Sequence, residues 1–342
     1  MSELVLVTGA YGYIASHCIL QLLTQGYRVR GTLRKLETHE PGVRRIVAQA
    51  GAANDQLELV QADLEDDQGW QQAVQGCAYV LHVASPVGVG VSRDQVDCLV
   101  RPARDGSLRV LKSAAAAGVR RVVLTSSLAA VLEGHKDYQR VFTEKDWTEL
   151  EGNPRAYAVS KTLSERAAWD FVRQLQTESS LELVVINPAN VFGPILDPRH
   201  TISVEFIIRM MHRAYPGCAR FHWMLVDVRD VAAAHLLAMT SPVAAGERFC
   251  CLSDCLWMDE IAHILNRNFS SLGYHVPERL LPDILVRLMT LFDPKARELL
   301  PSLGLKWQIS NRKLVDLLGW QPRLTEEIIV DTAKSLIRFG LV

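Results

Sequence analysis

The stretch Leu4-Val5-Leu6-Val7-Thr8-Gly9-Ala10-Tyr11-Gly12-Tyr13-Ile14-Ala15 constrains this chain most. Leu4 to Val7 is a short run, apolar at every position, as a strand covered on both faces is. Gly9 and Gly12 follow at once. Ile14, Cys18, Leu22 and Leu23 then recur at helical spacing, and Gly26 stops the helix as a C-cap glycine does. A tight turn therefore joins a buried strand to a helix N-terminus. Glycines let the backbone approach a ligand there, and the unpaired N–H groups of the helix end attract phosphate. Gly9-x-x-Gly12-x-x-Ala15 is a variant of the dinucleotide fingerprint, with Ala15 in place of the glycine that serves close helix–strand packing.

The 342 residues are ample for one large domain or a domain with a smaller lobe. With 37 basic and 38 acidic residues the net charge is −1, which argues against a nucleic-acid surface. Met1-Ser2-Glu3 leads directly into the first strand, and no apolar stretch is long enough to span a bilayer. The expectation is a soluble, cytoplasmic protein with no membrane partner. Seven cysteines, mostly in apolar stretches such as those around Cys18, Cys77 and Cys98, fit buried reduced thiols. Cys251 and Cys255 have no second Cys/His pair at zinc spacing, so no metal site is expected.

Strand and helix patterns alternate through the first half. Strands are predicted over Arg28–Leu33, Leu57–Ala62, Tyr79–Ala84, Arg121–Thr125 and Leu183–Asn187, with helices between them, for example Gln68–Val74 and Val96–Ala117. Such alternation means a doubly wound α/β fold of Rossmann type, a parallel sheet with helices on both faces. Ligands bind such sheets beyond the carboxyl ends of the strands. That rule sets Gly9, Arg34, Asp63, Ala84 and Ser127 on one rim. After Pro188 the regularity breaks at Pro194, Pro198, Pro216 and Gly217. Val226–Met239 returns to the sheet, with Asp227 and Asp230 near a helix start, and from Trp257 the pattern is helical, broken by Pro277, Pro282, Pro294 and Pro301. The expected division is a dinucleotide-binding domain over 1–188 and 225–250, and a smaller, mostly helical substrate lobe over 189–224 and 251–342.

Tyr157-Ala158-Val159-Ser160-Lys161 follows Pro154, a residue suited to the first turn of a helix. Residues four apart share a helix face, so phenol and ammonium point the same way and the charge favours the phenolate. Ser127 closes the fifth strand on the ligand rim, where a hydroxyl can donate to a carbonyl oxygen. Ser126 is the competing choice. No Gly-x-Ser-x-Gly elbow surrounds either serine, which argues against a nucleophile.

Thr8-Gly9-x-x-Gly12, Asp63-Leu64, Thr125-Ser126-Ser127 and Tyr157-x-x-x-Lys161, in that order, resemble the extended short-chain dehydrogenase/reductases. Gly26-Tyr27-Arg28-Val29-Arg30, His82-Val83-Ala84-Ser85-Pro86, Tyr157 to Leu163 and Asn187-Pro188-x-x-Val191-x-Gly193-Pro194 resemble their dihydroflavonol-reductase-like branch. The resemblance covers about residues 4 to 250. It implies Tyr157 as general acid in reduction, Lys161 on the nicotinamide ribose and Ser127 orienting the carbonyl. It also implies cofactor contacts from Thr8, Gly9, Tyr11, Gly12, Tyr13 and Ile14 in the turn. Asp63 and Leu64 would flank the adenine, and Val83, Ala84, Ser85 and Thr125 would line the cleft. Pro188, Asn190 and Val191 would pass the nicotinamide. His82 matches a family position and reads as structural. Plant dihydroflavonol reductases carry an asparagine where this chain has Leu132, which implies a more apolar substrate.

The second strand bears on cofactor choice. NAD-selective sites use an acid about 20 residues past the glycine turn to bond the ribose 2′-OH. Thr32-Leu33-Arg34-Lys35 stands here instead, and arginine suits a 2′-phosphate that an acid would repel. The expectation is an NADP(H)-dependent reductase of a small aldehyde or ketone; a monomer and a homodimer both fit. Two other readings share the framework: a sugar-nucleotide epimerase or dehydratase, and a non-catalytic NADP-binding regulator. Arg34 opposes the first, and the joint presence of Tyr157, Lys161 and Ser127 opposes the second. Phe192, Phe221, Trp223 and Met224 are candidates for an apolar pocket or for plain core.

Overall fold

The computed structural model describes residues 2–85, 96–175, 180–199, 202–291 and 300–342; Met1, Pro86 and Pro294 lie outside them. Strands β1 (Leu4–Val7), β2 (Arg28–Leu33), β3 (Leu57–Gln61), β4 (Tyr79–His82), β5 (Arg121–Thr125) and β6 (Glu182–Pro188) form a parallel sheet with β9 (Arg248–Cys251). The order is β3-β2-β1-β4-β5-β6-β9. Its first six strands have the dinucleotide-binding order, with the switch point between β1 and β4.

Period-two alternation sends the side chains of one strand into two cores. Val5 and Val7 of β1 face the layer built by helices α1 (Tyr13–Thr24), α2 (Leu36–Gln49) and α7 (Val228–Thr240). Leu4 and Leu6 face the layer of α3 (Trp70–Val74), α4 (Asp97–Ala116) and α5 (Ala156–Leu175). Val5, Leu6 and Val7 are wholly buried. Burying a Val or Leu side chain contributes about 1.5–3 kcal/mol, so the all-apolar run is held in the middle of the sheet.

β4 stops at His82, short of the expected Ala84. Val83 N donates to Leu81 O, and Ala84 N donates to the Thr8 hydroxyl at 2.9 Å instead of to a strand partner. Asp227 caps α7 by accepting from Arg229 N, as its place before the helix suggested.

The second half departs from the sequence expectation in one respect. β7 (Asn190–Phe192), β8 (His222–Asp227) and β10 (Asp254–Trp257) form a separate three-stranded sheet, where the sequence reading has breaks, helices and a return to the main sheet from Val226; Val226 and Asp227 end β8, and it is α7 that returns to the main core. β7 pairs β8 in parallel and β10 pairs β8 antiparallel. This sheet packs with α6 (Ile202–Met211), α8 (Met258–Phe269) and the helix Thr325–Arg338 around Phe192, Leu225, Ile261, Leu265 and Ile328. The same cluster includes Trp223 stacked on Phe206 at 3.9 Å, so Phe192 and Trp223 serve as core.

Candidate active site

The glycine turn is held from two sides. Gly9 N donates to the Thr32 hydroxyl on β2 at 3.0 Å, and Thr8 N donates to Leu81 O on β4. Gly9 sits at φ +68°, and a Cβ there would lie 3.0 Å from the Ala84 methyl. A side chain is thus disfavoured both by the backbone and by the segment just past β4. Gly12 is the N-cap of α1 and carries no side chain to cap it. The first N–H groups of this helix have no partner within the helix, and a helix end of this kind attracts anions. A cavity of about 230 Å³ lies beside it, lined by Gly12, Tyr13, Ser16 and Arg199 among others.

Arg34 and Lys35 follow the last residue of β2 and are exposed on the same rim. Asp63 lies just past β3; its carboxylate accepts from Glu65 N at 3.1 Å, which shapes the turn leading into Leu64. Leu64 packs so close to α4 that a Cβ on Gly106 would stand 2.8 Å from its own Cβ. The turn, the helix end and the two cations suit a dinucleotide carrying an extra phosphate.

Across the switch point stand the residues with chemistry. Lys161 is 7 % exposed, and its Nζ donates to Ser85 Oγ at 2.9 Å while lying 5.8 Å from the centroid of the Tyr157 ring. Both belong to α5, one turn apart, as the spacing requires. Tyr157 is half-buried. The turn Leu128–Ala130 packs against α5 and brings Ser127 to it. Ser127 Oγ accepts from Ala129 N at 3.1 Å. A hydroxyl that accepts in this way retains its proton for donation. Ser126, the alternative, points the other way: its hydroxyl donates to the buried Glu165 carboxylate at 2.5 Å. His82 is fully buried beneath the rim with Nδ1 2.9 Å from the Thr8 hydroxyl. Burial first, and the Lys161 charge second, push it down to about 3, so it is neutral in use.

Other expected cofactor residues have their side chains engaged. Tyr11 donates to Asp197 at 3.1 Å and lies under the Arg199 guanidinium. Tyr13 donates to Gly193 O at 2.7 Å. The Thr125 hydroxyl is 2.6 Å from His235 Nε2, and the Asn190 amide donates to Met224 O at 3.0 Å. Val191 packs against the main core, and Pro188 ends β6. Ile14 lies in the first turn of α1, and Val83 borders the same core as Val191. The hydroxyls of Tyr11, Tyr13 and Thr125 and the amide of Asn190 are thus paired within the protein. Leu132 is 2 % exposed and packs with Leu128, Val131, Phe142, Cys250 and Leu252. Tyr138, Met224, Cys255 and Trp307 border this cluster with partial exposure. The ground beyond Ser127 is therefore apolar and aromatic.

Two residues at the site carry no role in the sequence reading. Glu165 is 1 % exposed and Asn187 is wholly buried. The Asn187 amide donates to Glu165 Oε2 at 2.8 Å and to Ser127 O at 3.1 Å. The one available signal for Glu165 was its place four residues after Lys161 on the same helix face.

The chain matches the NAD dependent epimerase/dehydratase family over residues 5–250. It is 34 % identical to cinnamoyl-CoA reductase 1 of Petunia hybrida over 342 residues, covering 99 % of this chain and 93 % of that one. It is also 34 % identical to tetraketide alpha-pyrone reductase 1 of Arabidopsis thaliana, covering 89 % of this chain and 90 % of that one. Among solved structures, yeast methylglyoxal/isovaleraldehyde reductase Gre2 complexed with NADPH superposes with a TM-score of 0.81 at 28 % identity, covering 99 % of this chain and 100 % of that one. A family match over more than half the chain, with relatives of this identity along nearly all of it, settles its kinship: the chain belongs to the NAD dependent epimerase/dehydratase family of extended short-chain dehydrogenase/reductases, in the branch that holds these reductases.

Proposed function

We propose that this protein is an NADP(H)-dependent oxidoreductase that reduces an aldehyde or ketone to an alcohol. The observation that carries this reading is the Lys161 ammonium, set between Ser85 at the switch point and the Tyr157 ring. In this reading Tyr157 and Lys161 form an acid–base pair on the rim that also carries the N-terminus of α1, the end that would take the phosphates. Residues 1–188 and 225–250 hold the cofactor in this reading, and 189–224 with 251–342 shape the substrate side.

The bound nicotinamide supplies the hydride. Tyr157 gives its phenolic proton to the carbonyl oxygen as the carbonyl carbon becomes tetrahedral, and the buried Lys161 charge steadies the phenolate left behind. Ser127 donates to the same oxygen and fixes its approach to Tyr157. Lys161 also holds the nicotinamide ribose. Arg34 and Lys35 take the 2′-phosphate, and Gly9 with the N-terminus of α1 takes the pyrophosphate. The apolar rim of Tyr138, Met224 and Trp307 favours an apolar carbonyl compound over a nucleotide sugar, whose diphosphate needs cations.

NADPH consumption across small aldehydes, diketones, steroid ketones, flavonoids and cinnamoyl-CoA tests this, with NADH and UDP-glucose as contrasts. Oxidation of NADPH by an apolar carbonyl substrate is the expected result. Turnover of the nucleotide sugar alone, or no consumption with any carbonyl compound, overturns the proposal.

A further inference from the structure

The Glu165 carboxylate lies at the meeting point of four elements. Oε2 accepts from the Ser126 hydroxyl at the end of β5 and from the Asn187 amide on β6, at 2.5 and 2.8 Å. Oε1 faces Arg248 Nε on β9 at 2.8 Å, a charge contact and not an aligned hydrogen bond, and Trp169 Nε1 on α5 at 3.4 Å. Arg248 is itself fixed, stacked on Trp147 at 3.7 Å and donating to the carbonyls of Glu144 and Asp146 at 3.1 and 2.8 Å. A charged carboxylate this deeply buried is costly unless each oxygen is paired, and here each is. Its position also repeats the spacing of the active face: Tyr157, Lys161 and Glu165 stand at successive turns of α5.

What this carboxylate holds is the serine end of the site. The same Asn187 amide that donates to Glu165 donates to Ser127 O at 3.1 Å. Ser126 is drawn to Glu165 by its side chain and to Ile186 O by its backbone N–H, at 2.5 and 2.8 Å. The Ser126–Ser127 peptide is thus bonded by its backbone to β6 and, through the Ser126 hydroxyl and the Asn187 amide, tied to Glu165 on the helix that carries Tyr157 and Lys161. We infer that Glu165 is a positioning residue for the reduction: through Ser126 and Asn187 it sets the Ser127 hydroxyl relative to the Tyr157 phenol. It touches neither substrate nor cofactor. The inference rests on the proposed role of Ser127.

A double-mutant cycle on kcat tests it, run in the full-length protein with Ser127→Ala, Asn187→Ala and Glu165→Gln. A displacement of about 1 Å can cost on the order of 100-fold in rate, so Glu165→Gln is expected to lower kcat by roughly 10- to 100-fold. NADPH affinity, read by fluorescence titration, should stay within threefold. Asn187→Ala cuts the tether to Ser127 O but leaves the Glu165–Arg248 pair intact, so it serves if Glu165→Gln does not fold; it should lower kcat in the same direction. In the Ser127→Ala background either substitution should cost less than threefold further, because no hydroxyl remains to be positioned. A purely architectural role gives the opposite pattern. If Ser127→Ala lowers kcat and the second substitution costs as much in that background as alone, Glu165 does not act through Ser127. If Ser127→Ala itself turns over like wild type, the role of Ser127 falls, and the positioning role falls with it.

Discussion

Lys161 Nζ donates to Ser85 Oγ at 2.9 Å, a bond that joins the helix carrying Tyr157 to the segment just past β4. The ammonium is nearly buried, so its place depends on such partners. Hydrogen bonds to charged groups contribute about 1.5–3 kcal/mol, and about 1.4 kcal/mol is tenfold. Ser85→Ala is expected to lower kcat about tenfold while the circular dichroism spectrum is unchanged. A kcat within twofold of wild type shows that Lys161 is positioned without this bond.

Acid sensitivity follows from the buried histidines. His235 Nδ1 lies 2.8 Å from Val231 O, which can only accept, so Nδ1 carries the proton and Nε2 accepts from Thr125. Burial pushes His235 down to about 4, and His17, which meets Pro194 O, also to about 4. The unfolded chain takes up these protons near pH 6.5, and the folded chain resists doing so. The stability they contribute is complete above about pH 6.5 and is lost as pH falls toward about 4. At about 1.4 kcal/mol per pKa unit, the loss from His235 is on the order of 3 kcal/mol. Tm should fall through this window, and His235→Gln should fall less steeply. Parallel melting curves for the two proteins contradict the assignment.

The two glycine positions Gly9 and Gly26 separate backbone cost from ligand cost. Both have positive φ, +68° and +81°. A Cβ at Gly9 meets the Ala84 methyl at 3.0 Å, whereas one at Gly26 meets nothing within 4 Å. Each alanine substitution costs about 1–2 kcal/mol of backbone strain. Gly9→Ala should in addition weaken NADPH binding at least tenfold, and Gly26→Ala should leave binding unchanged. Equal NADPH affinities in a titration of the two variants exclude the turn as the phosphate site.

Arg34 bears on cofactor choice. Wild type should prefer NADPH over NADH by at least tenfold in kcat/KM, the lower end for a charged hydrogen bond at an exposed, salt-screened site. Arg34→Ala should remove most of that preference and leave NADH use nearly unchanged, since NADH has no 2′-phosphate. An equal loss with both cofactors means that the arginine supports its loop; a wild-type preference for NADH overturns the cofactor assignment.

The sheet was legible because its strands are local patterns. Leu4–Val7, Arg28–Leu33 and Arg121–Thr125 begin and end where the sequence pattern places them. The second sheet was not legible. β7 has three residues, and β10 begins on exposed Asp254 and continues through half-buried Cys255, Leu256 and Trp257, which leaves no two-residue alternation to read. Spacing put Tyr157 and Lys161 on one helix face and the strand end put Ser127 on the rim, but the roles expected of them came from the family resemblance. Glu165 was not legible, because a glutamate on a helix face reads as solvated until Arg248 arrives from β9. The hydroxyls of Tyr11, Tyr13 and Thr125 were likewise unreadable: their partners Asp197, Gly193 and His235 come from distant segments.

Tyr157→Phe tests the central claim most directly, because the ring stays and only the proton donor goes. General acid–base groups contribute about 10²–10⁴ in rate. The measurement is kcat for carbonyl reduction beside NADPH affinity in the same preparation. The account predicts a loss of at least about 100-fold in kcat with NADPH affinity within threefold. A variant that retains kcat within threefold of wild type, with the chemical step limiting, contradicts it.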